Sequence, residues 1–394
     1  MPDSSSALDD ALREGLRTVG AADLVVGIPS YNNAGSIAHV ARSVEEGLRL
    51  GFPGSRAVLV SSDGGSSDGT SDVLRGAVRE IPVIAGAYRG LPGKGSALRA
   101  IFECTLGLGA RAGAVVDSDL RSITPQWVQR LLGPILDGTA DYVTPLYARH
   151  KHDGTITNTI AYPLTRALYG VRVRQPIGGE FGFSGALARQ FVAAGDWAGH
   201  IARFGIDIFM TTTALTSGAR VAQAFLGAKI HDPKDPGSDL APMFTEVVGT
   251  LFELAGRNTA RWREVTGSRD APVVGEIEPV EPEVVNASVE ILRAKYAAGR
   301  GEHGAVWEEI LGGAPSELDA RGWARVVYGF LGASLRDSTR RDALVRALVP
   351  LYFGRVARFI EDANGLSTAE SERLVEEQAA AFEQEKGSLR ERLA

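Results

Sequence analysis

The sequence predicts an α/β fold with a mostly parallel sheet, followed by an α-helical C-terminal region. In the first part of the chain, short β-rich apolar runs alternate with amphipathic helical stretches, which is the order that a mostly parallel sheet requires. Beyond Pro242 the apolar residues follow i, i+3, i+4 spacing and strand signals stop. We therefore expect an N-terminal extension (1–21), an α/β domain (22–242) and a helical region (243–394).

The predicted elements follow one another in that order. In the α/β part, strands are predicted at 24–28, 57–61, 83–85 and 112–116, and helices at 36–50, 66–80 and 94–107. In the helical part, a linker rich in Pro and acidic residues is predicted at 270–282, and helices at 244–253, 285–296, 307–311, 323–335, 341–364 and 367–393. Ligands of open parallel sheets bind beyond the carboxyl ends of the strands, so the loops after the strands hold the candidate site.

Composition excludes several classes of protein. The chain has one cysteine, Cys104, which excludes a disulfide framework and lies in an apolar helix typical of a core position. The polar N-terminus shows no secretory signal and no apolar stretch is long enough to span a bilayer, so we expect a cytoplasmic protein without membrane attachment. The net charge of -6 argues against nucleic-acid binding. The expected partner is a small molecule.

The most informative motif is Asp117-Ser118-Asp119, directly after the predicted strand 112–116. On a strand, residues i and i+2 share a face, so both carboxylates can project into one cleft. Oxygen ligands of this kind hold a hard divalent cation, which would offset the charge of a diphosphate. The alternative is a solvated loop with ordinary turn acids.

Two further polar loops follow the first two strands. The first is Pro29-Ser30-Tyr31-Asn32-Asn33, and the second, 62–70, contains three glycines. Asp63 in the second loop is suited to accept hydrogen bonds from a base or a ribose, while the glycines let backbone N–H groups approach a ligand. Alternatively, a serine at 66 or 67 caps the following helix and Asp68 belongs to its first turn.

Lys94 occurs in Pro92-Gly93-Lys94-Gly95-Ser96 at the start of a predicted helix. Backbone donors and an ammonium group at such a position suit a phosphate. The segment is no P-loop, because that motif needs glycine where this chain has Tyr88. No G-x-G-x-x-G follows the first strand, which argues against a dinucleotide site. For Lys94 alone, the alternative is a solvated surface lysine.

In their order along the chain, these motifs resemble nucleotide-sugar transferases of the GT-A fold, specifically the glucosyl-3-phosphoglycerate synthase and glucosylglycerate synthase group (glycosyltransferase family 81). Each motif is weak alone, but the ordered set over residues 22–240 is specific. The motifs that carry the resemblance are Pro29 with Asn32, Asp63 to Thr70, Pro92 to Gly95 with Ala97-Leu98, Asp117 to Leu120, Gly178-Gly179-Glu180-Phe181, Phe204 to Ile208, and His231 after Gly227-Ala228-Lys229.

The resemblance implies a role for each motif. Asp119 and His231 would be metal ligands that complete, with diphosphate oxygens, the shell of Mg²⁺ or Mn²⁺. Glu180 and Asp207 would lie near the transferred sugar. The alternatives are a core or helix-capping histidine for His231 and a cap of the helix 208–215 for Asp207. The nucleotide would be held by Pro29, Tyr31, Asn32, Asp63, Lys94, Asp117 and Ser118.

The acceptor segment departs from the pattern of phosphoglycerate-using relatives, which carry a Gly-Gly-Arg-Val-Thr type stretch. This chain keeps Thr157 but has Thr155 where the arginine should be. Threonine cannot reproduce the bidentate recognition of a phosphate by a guanidinium, so the departure favours D-glycerate. Alternatively, the basic residues of 149–152 compensate for the lost arginine. The resemblance implies acceptor contacts from Arg149, Gly154 and Thr157.

We therefore expect a metal-dependent retaining glycosyltransferase that moves glucose from GDP-glucose or UDP-glucose to D-glycerate, making glucosylglycerate, a compatible solute. Similar enzymes retain the anomeric configuration through same-face attack, in which the departing diphosphate helps take the acceptor proton. Transfer to 3-phosphoglycerate, and of mannose, stay open. Further alternatives are an inverting transferase acting on a polysaccharide or lipid carrier, a nucleotide-sugar binding protein without turnover, and a nucleotidyltransferase. The family also implies a homodimer.

Overall fold

The computed structural model of the chain describes residues 6–230, 240–315, 317–391 and 393. The strands in this part are β1 (Leu24–Ser30), β2 (Ala57–Asp63), β3 (Val83–Ala87), β4 (Ala112–Val115), β5 (Tyr142–Ala148), β6 (Val171–Arg172), β7 (Phe181–Ser184), β8 (Val221–Ala228), β9 (Arg269–Asp270) and β10 (Val273–Val274). The α-helices are α1 (Asp10–Val19), α2 (Ile37–Gly51), α3 (Thr70–Ala77), α4 (Lys94–Gly107), α5 (Pro125–Leu136), α6 (Tyr162–Tyr169), α7 (Gly185–Ala194), α8 (Ile206–Ser217), α9 (Leu240–Arg257), α10 (Thr259–Glu264), α11 (Val289–Leu311), α12 (Ala320–Arg336), α13 (Arg341–Asp362) and α14 (Thr368–Glu391).

The main sheet has the strand order β10-β8-β5-β7-β4-β1-β2-β3. Its neighbouring pairs are parallel except the two that include β7, which runs antiparallel to β4 and to β5. Because β4, β1 and β2 lie side by side and parallel, their carboxyl ends meet at one edge of the sheet. The predicted α/β class with a mostly parallel sheet is confirmed.

Helices cover the sheet because its strands are apolar on both faces, as buried parallel strands are. Every residue of β1 is buried. On one face, Leu24, Val26 and Ile28 of β1 share a core with apolar residues of α2 and of α5, such as Val44 and Val128. This packing fixes the positions of the strand ends, and with them the starting points of the loops that follow.

The chain divides into two compact units. The first contains the described residues within 1–148, 177–233 and 271–282, and the second those within 149–176, 234–270 and 283–394. The units therefore interleave along the chain, whereas the predicted division is linear. That division at residues 21 and 242 stays a prediction about domain identity.

The second unit is mainly helical, as predicted for the C-terminal part of the chain. Its helices bury a cluster of Tyr162, Phe359, Val375 and Ala379. Buried polar edges of its tryptophans are satisfied by backbone: the Trp323 indole N–H donates to the carbonyl of Thr159 at 2.7 Å. Helix α6 begins directly after a π-helical turn, Thr157–Ala161.

Two predictions about the elements were wrong. The helices predicted at 285–296 and 307–311 are one helix, α11, which begins at Val289 and ends at Leu311. The predicted linker 270–282 contains β10, which extends the main sheet beside β8, and β9 pairs with β6, so strands do occur beyond residue 242. Strands of two residues are held by backbone bonds such as Gln223 N–H to the Pro272 carbonyl at 2.8 Å, which leave no side-chain pattern in a sequence.

No helix within the described residues combines the length and the apolar character needed to cross a bilayer.

Candidate active site

The loops after β1 and β2 are joined by one carboxylate, that of Asp63 at the end of β2. Its Oδ1 accepts from the backbone N–H groups of Gly65 and Ser66 at 2.8 and 2.6 Å. Its Oδ2 accepts from the hydroxyls of Ser30 and Ser66 at 2.8 and 2.7 Å. These four bonds fold the second loop and hold it against the end of β1. The predicted contact of Asp63 with a base or ribose stays a prediction, and the structure adds this organising role.

The first loop carries an exposed aromatic ring beside an unusual backbone conformation. Tyr31 is 63% exposed. Asn32 has φ of 53°, and among the described residues it is the only non-glycine residue with a positive φ. The Asn32 side chain accepts from the Ser67 N–H at 3.1 Å, so both loops fix this conformation. Pro29 lies just before, inside β1. A strained backbone conformation beside a solvent-exposed aromatic side chain is typical of a ligand-contacting loop.

Residues 66–69 are loop rather than helix, because their polar groups bond within the two loops. Helix α3 begins at Thr70 with Gly69 as its N-cap and without a side-chain cap bond. Asp68 accepts from the N–H of Thr70 at 3.0 Å and from the N–H of Ala34 at 3.0 Å. The capping alternative for a serine at 66 or 67 is therefore wrong.

The Asp117-Ser118-Asp119 motif lies in a turn, since β4 ends at Val115. Strand alternation therefore does not set the directions of its two carboxylates. The turn is held by Asn33, whose side-chain oxygen accepts from the Ser118 hydroxyl at 2.7 Å, and by Ser36, whose hydroxyl donates to the Ser118 carbonyl at 2.9 Å. Asn33 and Ser36 were not predicted as site residues, and their positions among other loop polar residues give no distinguishing signal.

Lys94 lies between two carboxylates. Its Nζ is 2.8 Å from Oδ1 of Asp117 and 3.3 Å from Oδ1 of Asp207. The lysine is the first residue of α4, and Asp207 lies in the first turn of α8, which makes no side-chain cap bond. The two alternatives, a solvated surface lysine and a capping aspartate, are therefore wrong.

Lys229 forms the second cation of the site. Its Nζ is 3.3 Å from Oδ2 of Asp117 and lies 3.0 and 2.9 Å from the two oxygens of Glu180. Glu180 is fully buried, and its Oε2 also accepts a hydrogen bond from the Tyr147 hydroxyl. Gly179 fits at this point because a Cβ there would lie 2.5 Å from Oδ2 of Asp117. Three carboxylates and two ammonium groups thus form one connected cluster.

Burial sets the protonation behaviour of this cluster. Burial raises the pKa of Glu180 to about 7, with Asp117 adding to the rise and Lys229 opposing it. Burial also raises the pKa of Asp207, against the nearby charge of Lys94. For Lys94, burial disfavours the ammonium form, but the charges of Asp117 and Asp207 outweigh it and raise the pKa. Shifted carboxyl groups at the ends of strands are typical of a functional site.

A bulge in β8 brings Lys229 to Glu180. Leu146 of β5 pairs with Phe225, but Ala148 pairs with Ala228, so β8 has one extra residue between these pairs. Gly227 in this stretch has φ of 76°, a conformation that other residues adopt at a cost. Bulges re-aim the side chains that follow them. Lys229 and Tyr147 were missed by sequence reasoning, because neither a lone lysine after a strand nor a strand tyrosine stands out.

The predicted acceptor residues Arg149, Gly154 and Thr157 belong to the second unit. The Arg149 guanidinium lies 3.6 Å from Oδ2 of Asp153. Thr157 is buried and begins the π-helical turn, a feature frequent at functional sites. The Thr155 hydroxyl is buried within 2.6 Å of the Tyr352 hydroxyl, so this position makes a packing contact.

Of the two predicted metal ligands, Asp119 lies within the described residues. His231 lies outside the described residues. Within the described part, Asp119 is half-buried and its carboxylate has no hydrogen-bond or ion-pair partner, and no group of three His, Cys, Asp or Glu residues is placed to hold a metal ion. The backbone of Ile230 accepts from Arg121 N–H at 2.9 Å, which ties the turn with Asp119 to the chain just before position 231. An available carboxylate here fits a cation that takes its other ligands from a substrate.

Comparisons with known proteins identify similar sequences and structures. A model of the family described as glycosyl transferase family 2 matches residues 25–193. The chain is 32% identical over 179 residues to glucosyl-3-phosphoglycerate synthase of Mycolicibacterium smegmatis (strain ATCC 700084 / mc(2)155), covering 42% of this chain and 55% of that protein. It is 28% identical over 225 residues to glucosyl-3-phosphoglycerate synthase of Mycolicibacterium paratuberculosis (strain ATCC BAA-968 / K-10), covering 50% of this chain and 63% of that protein.

The match thus spans less than two thirds of the length of either relative. Among solved structures, glucosyl-3-phosphoglycerate synthase from Mycobacterium tuberculosis in complex with Mn²⁺, uridine-diphosphate and glucosyl-3-phosphoglycerate aligns with a TM-score of 0.47 and 23% identity, covering 62% of this chain and 84% of that one. The expected likeness to the glucosyl-3-phosphoglycerate synthase group and the expected GT-A class are confirmed. Residues 25–193 of this chain are therefore similar to glycosyl transferase family 2.

Proposed function

We propose that this protein transfers glucose from a nucleoside-diphosphate glucose to D-glycerate, with 3-phosphoglycerate as the second candidate acceptor. The observation that supports this most is the cluster of Lys94, Asp117, Glu180, Asp207 and Lys229. It lies in the first unit beyond the carboxyl ends of parallel strands, where such sheets bind ligands. The match to the glycosyl transferase family 2 model covers most of the strands around it.

The charge of the cluster supports a metal requirement. It has one more carboxylate than ammonium groups, so a diphosphate entering it meets a net negative charge unless a further cation is present. Mg²⁺ or Mn²⁺ held by Asp119 and His231 would supply that charge and stabilise the leaving diphosphate. Lys94, which bonds Asp117 and Asp207 here, would turn toward phosphate oxygens of the donor. UDP-glucose and GDP-glucose both carry such a diphosphate and are the donors to test.

The remaining site residues receive roles that match their surroundings. The exposed ring of Tyr31, with Pro29, Asn32 and Ser118, is suited to hold the nucleotide. Asp63, whose carboxylate is bonded to four protein donors, would contribute by holding the two loops in place around the nucleotide. Glu180 and Asp207 would orient sugar hydroxyls and stabilise positive charge that develops on the sugar. Positioning and electrostatics then carry the reaction, which needs no protein nucleophile when attack occurs on the same face as departure.

The acceptor preference follows from the second unit considered alone. The Lys151 ammonium donates to the carbonyls of Ala363 and Leu366 at 3.0 and 2.6 Å, and Thr155 is bonded to Tyr352. Two of the positions considered for a phosphate contact, Lys151 and Thr155, are therefore engaged in packing, which supports D-glycerate. The names of both curated relatives favour 3-phosphoglycerate instead. Arg149, Gly154 and Thr157 are our proposed acceptor contacts.

The test is turnover of UDP-glucose, GDP-glucose and GDP-mannose with each acceptor, following nucleoside diphosphate release and identifying the product. We expect a glucose donor to be used with D-glycerate in the presence of Mg²⁺ or Mn²⁺, and activity to be abolished by a chelator and restored by either metal. Arg149→Gln should raise the KM for the acceptor without changing that for the donor. Preference for 3-phosphoglycerate would replace the acceptor assignment, and metal-independent turnover or none with any pair would overturn the proposal.

A homodimer in the cytoplasm completes the proposal, and it rests on likeness to the family alone. Light scattering of the purified chain during size-exclusion chromatography tests the dimer, which a monomer mass at all loading concentrations would overturn.

A further inference from the structure

We propose that Tyr147 is a positioning residue that holds the Glu180 carboxylate ionised and correctly oriented for glucosyl transfer. This inference rests on the proposed function, because it assumes that Glu180 acts on the sugar as a carboxylate.

The Glu180 side chain is fully buried, so it has no contact with water that would stabilise a negative charge. Lys229 donates to both of its oxygens, and the Tyr147 hydroxyl donates to Oε2. Two protein donors, one charged and one neutral, thus replace the lost hydration.

Tyr147 is held between neighbouring side chains. The residue is 6% exposed and the centroid of its ring lies 5.3 Å from that of the Trp127 ring. The Lys229 ammonium lies 5.5 Å from the centroid of the same Tyr147 ring. Tyr147 therefore contacts both members of the Glu180–Lys229 ion pair, one through its hydroxyl and the other through its face. A ring held this way sets the geometry between the two groups.

Among the described residues, the titratable groups that face Glu180 and influence its protonation are Lys229, Tyr147, Asp117 and Lys94. Burial and Asp117 favour the protonated acid, whereas the two lysines and the Tyr147 hydroxyl favour the carboxylate. Since burial raises the pKa of Glu180 to about 7, a small loss of stabilisation changes its ionisation in the range where enzymes are assayed. Removing the hydroxyl should therefore move protonation of Glu180 to higher pH.

The test compares Tyr147→Phe with Tyr142→Phe. Tyr142 is a matched control because it lies in the same strand, is fully buried and has a hydroxyl 3.2 Å from that of Thr211, with no bond to Glu180. The kcat and KM for the donor are measured from about pH 5.5 to about pH 9. We expect Tyr147→Phe to shift the acidic limb of kcat to higher pH, with a roughly tenfold loss near pH 6 that largely recovers near pH 9. Tyr142→Phe should leave the limb in place.

Coupling between the residues distinguishes positioning from general packing. In a Glu180→Gln background, Tyr147→Phe should cause little further loss, because the group it acts through no longer titrates. An unshifted profile for Tyr147→Phe, or an equal loss at every pH and in both backgrounds, would overturn the proposal.

A readout without turnover separates this inference from the proposed function. The unfolding temperature is followed against pH for the wild type and both tyrosine variants. Tyr147→Phe alone should move the Glu180-dependent stability change to higher pH. Should the wild type show no transferase activity, the proposed function fails while this measurement still decides the role of Tyr147.

Discussion

Each compact unit buries an ionic network, and the two networks are built in opposite ways. In the first unit, the side chains of Glu180 and Asp207 are 0% and 11% exposed and share two lysines with Asp117. In the second, the Arg166 guanidinium is 5% exposed, but its partners Glu376 and Glu383 reach solvent at 49% and 25% exposure. The first network thus buries acids, whereas the second buries a cation under acids that stay hydrated.

The pKa directions show what this difference means. Burial raises the pKa of Glu180 and of Asp207, so the first network keeps charge where it costs stability. For Glu383, burial favours the protonated form, but hydrogen bonds from Arg166 and Ser268 outweigh it and lower the pKa. A network that lowers the pKa of a carboxyl group stabilises the fold when that group is ionised. A network that raises the pKa holds a carboxylate at a cost in stability, as is typical of a site that binds a ligand. We infer that the first network serves a reaction and that the second joins α6 to α14.

The largest expected effect is that of Lys94→Met. The change leaves Asp117 and Asp207 without their shared cation and removes a charge proposed to stabilise the leaving diphosphate. We expect a loss of turnover of about 10²–10³-fold, as when a single electrostatic donor is removed from an active site. Steady-state kinetics with saturating metal measures it.

The same variant has a pH signature in stability. Without Lys94, the carboxyl groups of the cluster bind protons more tightly in the folded than in the unfolded state, so stability falls as pH rises. The destabilisation should be larger near pH 8 than near pH 6. Lys295→Met, which removes a lysine 5.0 Å from the ring of Phe353 in the second unit, is the control. Equal losses of turnover in both variants would contradict the role of Lys94.

The next effect belongs to the second network. Arg166→Met removes the partner of Glu376 and Glu383 and the bond to Ser268. Breaking a buried pair costs about 3–5 kcal/mol, and because both acids reach solvent here we expect about 2–3 kcal/mol. Denaturant unfolding measures the loss, and kcat per folded molecule should change less than twofold. A kcat loss as large as that of Lys94→Met would remove the distinction between the networks.

The sequence predicted the frame of the first unit well, since Leu24, Ala57 and Lys94 begin elements where apolar periodicity begins. Its motifs also placed Asp63 and Asp117 correctly at strand ends and Lys94 at the start of a helix. It did not show that the Asp63 carboxylate accepts four hydrogen bonds from the protein, because its hydrogen-bond donors come from two loops whose contact a local sequence pattern does not encode. Tyr147 and Lys229 were not predicted as site residues for a related reason. The pairing of β5 with β8 and the bulge in β8 place them beside Glu180, and a local sequence pattern does not encode either feature.

A smaller effect concerns the pH dependence of stability. With a folded pKa of about 7, above that of an unfolded glutamate, Glu180 binds its proton more tightly in the folded state. Stability from this group is therefore present at acidic pH and is lost as pH rises toward 7. In Glu180→Gln, the free energy of unfolding should fall by about 1–2 kcal/mol less over this pH range than in the wild type. Thermal unfolding between about pH 5 and about pH 8 measures it.

Glu383→Gln sharpens the comparison because its sign is opposite. The pKa of Glu383 is lowered, so its contribution is present above the unfolded pKa and is lost as pH falls. The variant should therefore lose most stability at neutral pH and little under acidic conditions. The same sign of pH dependence in both glutamine variants would show that the two networks do not differ in this way.

The smallest effect tests the backbone that carries the first network. Gly227 has φ of 76°, and a Cβ added there would meet open space, so Gly227→Ala introduces backbone strain without a clash. We expect a loss of about 1 kcal/mol, with a lower kcat because the bulge sets the direction of Lys229. Gly304 in α11 of the second unit also has open space around it but a helical backbone, so Gly304→Ala should stabilise by about 0.5–1 kcal/mol and leave kcat unchanged. Since both changes add one methyl group, a kcat loss in Gly227→Ala alone would tie activity to the bulge, and an unchanged kcat would show that Lys229 reaches Glu180 without it.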